Sequence, residues 1–328
     1  MAKLTINDAI VAALRSEMMV NPKIFCLGQD IGQFGGALQT FKGLWAEFKD
    51  TGRIIDAPIS EEVMVGAGAG AAMCGMRPVV EIMFLELLNL CLGSILNEIG
   101  QVYVKTGHRL KVPLVIRTKC GVGPHRGHAE DYHAVLTSVP GIKVVMPSEP
   151  RDAMGLMRSA LREDNPVIFL EHMGLTHARR AEVPDDDDFV IPLGVADIKR
   201  PGSDVTIVSC GLMVSRALKA AEQLKADHSI DCEVIDLRTI APLDTATILN
   251  SVKKTGHLVI THEAWKTGGS GGEVAAIVAE QGFKDLKGPI VRVAPPNVPI
   301  PFSLTLEKLF IPNEQAIMDG VMRSLGKQ

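Results

Sequence analysis

A glycine-rich loop at residues 120–131 holds the densest group of residues that could do chemistry. It carries His125 and His128 together with an arginine and two acids, and it follows an apolar run, Leu114–Arg117. Polar loops at the ends of buried strands are where catalytic side chains concentrate, because the strands hold them rigidly. Histidines three residues apart could transfer protons or bind a metal, but surface histidines in a loop have the same spacing.

A second candidate is the pair Glu61 and Glu62, which follows Pro58-Ile59-Ser60. Ser60 fits the N-cap of a helix, and acids near the positive end of a helix are favourable there. A carboxylate at a strand-to-helix corner could also serve as a catalytic acid or base. The residues alone leave both interpretations open.

Two glycine-rich motifs invite a phosphate-binding interpretation. The run 66–72 falls inside a helical pattern, so we predict close helix packing there and not a dinucleotide loop. The run 268–273 follows a strand-like segment and opens a helical one, so its backbone N–H groups could bind an anion. It lacks the Gly-Lys-Ser/Thr ending of a P-loop, and a plain tight turn explains it equally well.

The elements that must position these residues alternate between strand and helix, which predicts a parallel, buried sheet built of βαβ units. The predicted strands of the first half are Ile24–Leu27, Pro78–Ile82, Leu114–Arg117, Lys143–Met146 and Val167–Leu170. The predicted helices are Asn7–Met18, Ser60–Met76, Leu85–Thr106 and Pro150–Asp164.

The alternation stops at residues 174–192, where two arginines, two prolines and the run Asp185–Asp188 indicate a solvated linker. It then resumes, with strands at Val205–Ser209, Cys232–Asp236, Leu258–Thr261 and Ile290–Val293 and helices at Val214–Lys225, Thr245–Lys254 and Gly271–Gly282. We therefore predict a first domain at 1–175, a linker at 176–192 and a smaller α/β domain at 193–328.

Composition excludes several classes of protein. With 46% hydrophobic and 22% charged residues the chain is globular, and a net charge of −4 offers no footprint for nucleic acid. The six cysteines lack metal-site spacing and fall mostly in apolar runs, which favours buried, reduced thiols. The start has no apolar leader and no apolar run reaches membrane length, so we expect a cytoplasmic protein without a membrane span.

One stretch resembles a known family. Residues 53–61, Arg-Ile-Ile-Asp-Ala-Pro-Ile-Ser-Glu, resemble the R-x-x-D-T-P-I-S-E motif of β subunits of thiamine-diphosphate-dependent 2-oxo acid dehydrogenases. These are the decarboxylating components of the pyruvate, branched-chain and acetoin dehydrogenase complexes. The resemblance continues, in order and over nearly the whole chain, at 75–81, 140–147, 164–167, 233–244 and 299–301.

The resemblance implies an α/β fold: a transketolase-type pyrimidine-binding domain with a parallel sheet flanked by helices, then a smaller transketolase C-terminal domain. It implies thiamine diphosphate with Mg²⁺, shared between two chains. An α subunit holds the diphosphate and Mg²⁺ with a Gly-Asp-Gly motif, which this sequence lacks. The implied partners are therefore an α subunit, in an α₂β₂ assembly, and a lipoyl acyltransferase core.

The resemblance also implies site residues. Glu61 matches the glutamate that hydrogen-bonds ring nitrogen N1′ of the aminopyrimidine, a role that calls for burial and a raised pKa. Ile59, Phe84 and Leu87 match the wall of the aminopyrimidine pocket. His128 matches a histidine that serves proton transfer and passes the acyl group to the lipoyl arm, whereas His125 receives no role.

The chain departs from the family pattern near the cofactor. Leu87 stands where the family commonly has Phe, and His128-Ala129-Glu130 replaces His-Ser-Gln. Some members also bind K⁺ around a strand-linking turn, and the matching residues here are Leu114, Ala160, Leu161, Glu163 and Asn165.

Two alternatives to the dehydrogenase β subunit remain open. Arg126 keeps open the C-terminal half of a split transketolase, which would bind sugar phosphates. The aliphatic Leu87 keeps open a non-catalytic scaffold subunit. The sequence does not identify the substrate, since the resemblance places much of the substrate pocket in the α chain.

Overall fold

The computed structural model describes residues 2–123 and 127–327 of the chain. The chain forms two compact units, Met1–Cys120 with Val135–Leu193, and Gly121–Ala134 with Gly194–Gln328. The predicted domain boundaries remain a prediction. The units differ from them in that Gly121–Ala134 belongs to the second unit and the predicted linker belongs to the first.

The first unit is built around a parallel sheet. Its strands, among the described residues, are β1 (Ala2–Leu4), β2 (Ile24–Gly28), β3 (Ile54–Asp56), β4 (Arg77–Phe84), β5 (Val115–Cys120), β6 (Lys143–Val145), β7 (Val167–His172) and β8 (Ala181–Val183). The parallel strands lie in the order β6-β7-β5-β4-β2-β3, and β1 pairs with β8 in a separate antiparallel ribbon. Strand β8 therefore gives the predicted linker regular structure, and Asp185–Asp188 are exposed as predicted.

Helices cover both faces of this sheet. They are α1 (Ile6–Val20), α2 (Leu44–Phe48), α3 (Glu61–Met73), α4 (Leu85–Leu88), α5 (Leu92–Ser94), α6 (Val102–Lys105), α7 (His133–Thr137), α8 (Pro150–Arg162) and α9 (Met173–Thr176). Helix α1 and helix α8 pack on the face that carries Val79, whereas α3 packs on the neighbouring Val80, because successive strand residues point to opposite faces.

The predicted helix Leu85–Thr106 is not one continuous α-helix. A 3₁₀ turn at Asn89–Cys91 and a π-helical turn at Ile95–Ile99 separate α4, α5 and α6. Close backbone packing accompanies the break, since a Cβ on Gly100 would lie 2.9 Å from the Pro140 carbonyl oxygen. The stretch Leu85–Lys105 has the length and hydropathy of a membrane span, which is weak evidence because core helices of soluble proteins share both properties.

The second unit repeats the layered plan with a smaller sheet. The strands of this unit are β9 (Asp197–Arg200), β10 (Val205–Ser209), β11 (Cys232–Asp236), β12 (Thr239–Ala241), β13 (Leu258–Thr261) and β14 (Val291–Val293). Strand β12 lies outside the smaller sheet. The helices of this unit are α10 (Leu212–His228), α11 (Thr245–Thr255), α12 (Gly271–Gln281), α13 (Leu304–Phe310) and α14 (Glu314–Ser324). The sheet order is β14-β13-β10-β11-β9, parallel except for β9.

The core of the second unit shows why an aromatic-poor chain packs well. Val205 and Ile207 of β10 face α10, which buries Ala217, Ala220 and Ala221 against them. Thr206 faces the other side, where its hydroxyl lies 2.7 Å from that of Ser251 on α11. Small residues let the helix approach the sheet closely, so aliphatic side chains fill the space that larger aromatic residues would otherwise occupy.

Candidate active site

Glu61 lies where an α/β sheet forms its binding crevice. Strand β3, which follows β2 in sequence, lies on one side of β2, and strand β4 lies on the other. The boundary between β2 and β4 is therefore the topological switch point of the sheet. Gln29 follows β2 there and donates from Nε2 to Glu61 Oε1 at 3.3 Å. Glu61, the first residue of α3, is only 8% exposed. Ser60 is the N-cap as predicted, although its side chain makes no capping hydrogen bond.

The neighbouring Glu62 has a different environment. It is exposed, and its Oε1 accepts a 2.6 Å hydrogen bond from the Ser94 hydroxyl. Burial, together with the nearby Glu62 and Glu61 carboxylates, raises the pKa of the Cys91 thiol to about 12. The thiol beside these acids is therefore neutral, and Glu61 is the buried carboxyl group of the pair.

The other residues predicted to contact a cofactor in this unit differ in exposure. Phe84 ends β4 and is 6% exposed, Leu87 in α4 is half-buried, and Ile59 is 82% exposed. Ile59 and Val63 leave an apolar surface beside Glu61 on this chain. Phe84 and Glu61 thus follow neighbouring elements at the crevice, while Ile59 points to solvent.

A buried ionic network, which the sequence analysis missed, lies beneath this crevice. Arg117 forms a bidentate pair with Glu171 at 2.6 and 3.0 Å, and Lys119 pairs with Glu81 at 2.5 Å. Burial opposes ionisation of Glu81, but Lys119 and Arg117 outweigh it and hold the pKa of Glu81 below its ordinary value. Charged residues inside otherwise apolar strands were the available signal.

The network joins the sheet to the loop after β2. Thr40 donates its hydroxyl to Glu81 at 2.7 Å, and its carbonyl accepts from Arg117 at 3.2 Å. Two cations balance two carboxylates in the interior, so none of the four buried charges lacks an opposite partner. Glu81 is therefore a fixed anion near the crevice and not a proton donor at neutral pH.

The predicted potassium site remains a prediction, and most of its oxygens already bind protein cations or N–H groups. Arg77 donates to the carbonyls of Leu161 and Glu163, with 2.8 Å to the first. The Leu114 carbonyl accepts from Val167 at 2.9 Å. The Glu163 carboxylate binds Lys143 and the Asn165 side chain, at 3.2 Å to the latter.

His128 belongs to the second unit, in contrast to Glu61, Ile59, Phe84 and Leu87. It is half-buried in the segment Gly121–Ala134. Its predicted neighbours His125 and Arg126 lie outside the described residues. Farther along the segment, Asp131 Oδ1 is 2.5 Å from His133 Nδ1, and His133 Nε2 is 2.6 Å from Ser270 Oγ.

The sequence analysis also missed this Asp131–His133–Ser270 chain, although it singled out the glycine-rich run that contains Ser270. The run follows β13 and opens α12 as predicted. His262 packs edge-on against His133, with ring centroids 6.3 Å apart. Burial and the nearby His133 lower the pKa of His262 to about 4, so His262 is neutral at physiological pH.

The remaining sequence predictions gain detail from the structure. Gly68 packs closely, since a Cβ there would lie 2.6 Å from Val80 Cγ2, whereas Gly66 and Gly70 face open space. The prediction of close packing is therefore wrong at Gly66 and Gly70, whereas Ala69 and Ala72 are buried as it expects. All six cysteines are free thiols, and Cys74 is the exposed exception to their predicted burial.

Comparison with known proteins adds to this geometry. Residues 2–178 match the model of the transketolase pyrimidine-binding domain, and residues 194–317 match that of the transketolase C-terminal domain. A solved structure described as a split-gene transketolase, inactive β4 tetramer, superposes with a TM-score of 0.80 at 23% identity, covering 99% of both chains. That similarity shows the fold alone.

Curated relatives match over their full lengths. The chain is 38% identical to the 2-oxoisovalerate dehydrogenase subunit beta of Bacillus subtilis, covering 100% of both chains. It is 41% identical to the acetoin:2,6-dichlorophenolindophenol oxidoreductase subunit beta of Cupriavidus necator, covering 98% of both. It is 38% identical to the pyruvate dehydrogenase E1 component subunit beta of Bacillus subtilis, covering 99% of both.

Proposed function

Because this chain belongs to the transketolase-type family of β subunits of the pyruvate, 2-oxoisovalerate and acetoin dehydrogenases, we propose that it supplies the aminopyrimidine-binding half of a thiamine-diphosphate site. The complete enzyme is an oxidoreductase that cleaves a 2-oxo acid or acetoin and passes the acyl group to a lipoyl carrier. We place it in the cytoplasm, as the composition predicts.

The residues at the switch point fit an aminopyrimidine. Glu61 is buried, and among the described residues its Oε2 accepts no hydrogen bond, which leaves one carboxyl oxygen for a ring nitrogen. Gln29 orients the other oxygen. Phe84 and Leu87 offer apolar surface near the end of β4. This buried carboxyl group with one available oxygen is the observation that carries the proposal.

The cofactor, when bound, supplies the carbanion chemistry that cleaves the bond next to the carbonyl. Glu61 would hydrogen-bond the pyrimidine nitrogen through its available oxygen, and its burial at the crevice limits competition from water. The fixed anion Glu81 and its cations keep the strands below it rigid. His128 would act in proton transfer and acyl handover.

Partners complete the site. The chain has no Gly-Asp-Gly motif for the diphosphate and Mg²⁺, so we propose that an α subunit holds both, in an α₂β₂ assembly. The exposed apolar residues Ile59 and Val63 beside Glu61 support a site closed by another chain. A lipoyl acyltransferase core would receive the acyl group.

Replacement of Glu61 tests the proposal. In the reconstituted αβ enzyme, Glu61→Gln should abolish exchange of the cofactor's C2 proton while the α subunit still binds the diphosphate. The matched control is Glu62→Gln, which alters the exposed acid next in sequence and should leave the exchange rate within about twofold. Wild-type exchange in Glu61→Gln would remove Glu61 from the proposed role.

Product analysis decides among the alternatives. Turnover of pyruvate, branched 2-oxo acids or acetoin with a lipoyl acceptor supports a dehydrogenase. Turnover of sugar phosphates would support the split transketolase, whose sequence argument, Arg126, lies outside the described residues. A mixture with the α subunit that fails to bind thiamine diphosphate would support a scaffold.

A further inference from the structure

The hydrogen-bonded chain Asp131–His133–Ser270 starts three residues after His128. We infer that these three are positioning residues, which fix the segment that carries His128 onto the loop between β13 and α12. The inference rests on the proposed role of His128 in acyl handover. The three positioning residues would hold this histidine in one location.

The hydrogen bond between His133 and Asp131 has a defined direction. An ionised Asp131 carboxylate only accepts hydrogen bonds. Nδ1 of His133 therefore carries a proton and donates it to Asp131 Oδ1 at 2.5 Å. Nε2 lies 2.6 Å from the Ser270 hydroxyl, which can either donate to that nitrogen or accept from it. The backbone N–H of His133 also donates to Asp131, at 3.3 Å. The orientation of the ring is thereby set.

All three side chains of this hydrogen-bonded chain are buried. His133 is 0% exposed, Asp131 4% and Ser270 6%, so solvent offers little replacement for a lost partner. Removing one member leaves another polar group unsatisfied in a low-dielectric interior. The segment is therefore much more stable in the position that completes all three hydrogen bonds.

A second contact holds the segment on the other side of His128. The backbone N–H of Val122 donates to Glu263 Oε1 at 2.5 Å. Glu263 closely follows β13, and Ser270 immediately precedes α12. One loop therefore binds the segment that carries His128 at points before and after this histidine. Anchoring at both sides restricts where a residue between the anchors can lie, which lowers the entropic cost of placing a catalytic group.

The geometry also resembles that of an activated serine nucleophile, but Ser270 is only 6% exposed and His262 crowds both glycines that flank it. A Cβ added to Gly269 would lie 2.6 Å from His262 Cε1, and one added to Gly271 would lie 2.6 Å from His262 Nε2. An acyl group needs more room than a methyl group. The positioning role therefore accounts for the arrangement better than attack by Ser270.

The test is a double-mutant cycle in the reconstituted αβ enzyme with a lipoyl acceptor. Ser270→Ala should lower kcat for acyl transfer by about ten- to a hundredfold, because misplacement of a catalytic group by about 1 Å costs that much. It should leave C2-proton exchange and cofactor affinity unchanged. In a His128→Ala background, Ser270→Ala should have no further effect on kcat.

Conservative variants and controls separate positioning from loss of folding. Ser270→Cys keeps a hydrogen-bonding group without an added methyl group and should restore part of the activity, and His133→Gln gives a second break in the chain. Ser215→Ala is the matched control, because Ser215 is an exposed helical serine that donates to Leu212 at 2.9 Å. Its kcat should equal that of the wild type.

The outcomes distinguish the two proposals. Unchanged turnover in His128→Ala would overturn the proposed function of His128. If His128→Ala lowers turnover but Ser270→Ala does not, or if the two losses multiply in the double variant, the positioning inference is wrong. A covalent fluorophosphonate adduct on Ser270 would also overturn it, because it would show a nucleophile with room to react.

Discussion

In the first unit, Arg117, Glu171, Lys119 and Glu81 bury two cations against two anions, whereas in the second unit Asp131, His133 and Ser270 form a directional chain of hydrogen bonds. The ion pairs offset the cost of burying charge only when opposite charges are balanced and well hydrogen-bonded. The chain requires one orientation of the imidazole ring between Asp131 and Ser270. The charge network thus balances four buried charges within a sheet, while a hydrogen-bonded chain specifies the location of one segment.

Breaking the charge balance should have the largest effect on stability. Arg117→Met leaves the Glu171 carboxylate buried without its bidentate partner, and we expect a loss of about 3–5 kcal/mol in the free energy of unfolding, measured with urea. Arg15 forms a similar bidentate pair with Glu47 at 2.7 and 2.9 Å, but both are about 40% exposed. As the control, Arg15→Met should cost at most about 1 kcal/mol.

The double variant sharpens this comparison. Arg117→Met with Glu171→Leu removes both charges, and apolar replacement of a buried pair is often close to neutral. Recovery of most of the lost stability would attribute the effect to charge imbalance. If the double variant is as unstable as Arg117→Met, packing at this position matters more than charge.

The two units should also differ in their response to acid. The folded pKa of His262 is about 4 against an ordinary value of 6.5, so the neutral form favours folding. Its contribution is complete above pH 6.5 and is lost as the pH falls from 6.5 through about 4, in total about 3 kcal/mol. Glu81 also has a lowered pKa, so its contribution is lost only below its ordinary value of 4.5.

Thermal unfolding between pH 7 and pH 4 measures this difference. In His262→Asn the loss of stability over that range should shrink, whereas the exposed His228→Asn should behave like the wild type. An unaltered pH dependence in His262→Asn would contradict burial of a neutral imidazole in the second unit. Glu81→Gln should change the profile only below about pH 4.5.

The smallest expected effect concerns the helix that carries Glu61. Gly68→Ala places a methyl group against Val80 and Leu114, and overpacking of this kind costs about 1–3 kcal/mol. Gly66 lies in the same helix with open space around it, so Gly66→Ala should stabilise by up to about 1 kcal/mol. Opposite signs in urea unfolding would confirm that close packing is confined to one glycine.

Regular elements were the most predictable part of the fold. Strands β10, β11 and β13 begin and end at the predicted residues, because uninterrupted apolar runs bounded by turns leave little choice. The short strands β1, β3, β8, β9 and β12 were missed, since runs of three or four residues carry too little pattern. The broken helix at 85–105 was missed because its interruptions depend on packing against residues far along the chain.

The site residues predicted from motifs remain predictions, and the structure describes the environment of Glu61 in most detail. Glu61 stands in a nine-residue match and occupies the switch point that the strand order creates. Asp131, His133 and Ser270 were not predicted, because Ser270 is separated from His133 by more than a hundred residues. Single-sequence patterns report on neighbours in the chain, and this contact joins a loop to a distant helix.

The amino-acid sequence by itself determined the class of fold and the family, and it predicts Glu61 and His128 as site residues, because apolar periodicity and local motifs are properties of short stretches. Only the tertiary structure decided which charges are buried together, which glycine packs closely and what holds the segment around His128. Those properties depend on side chains brought together by the two sheets, and their energies arise from burial that no local pattern expresses.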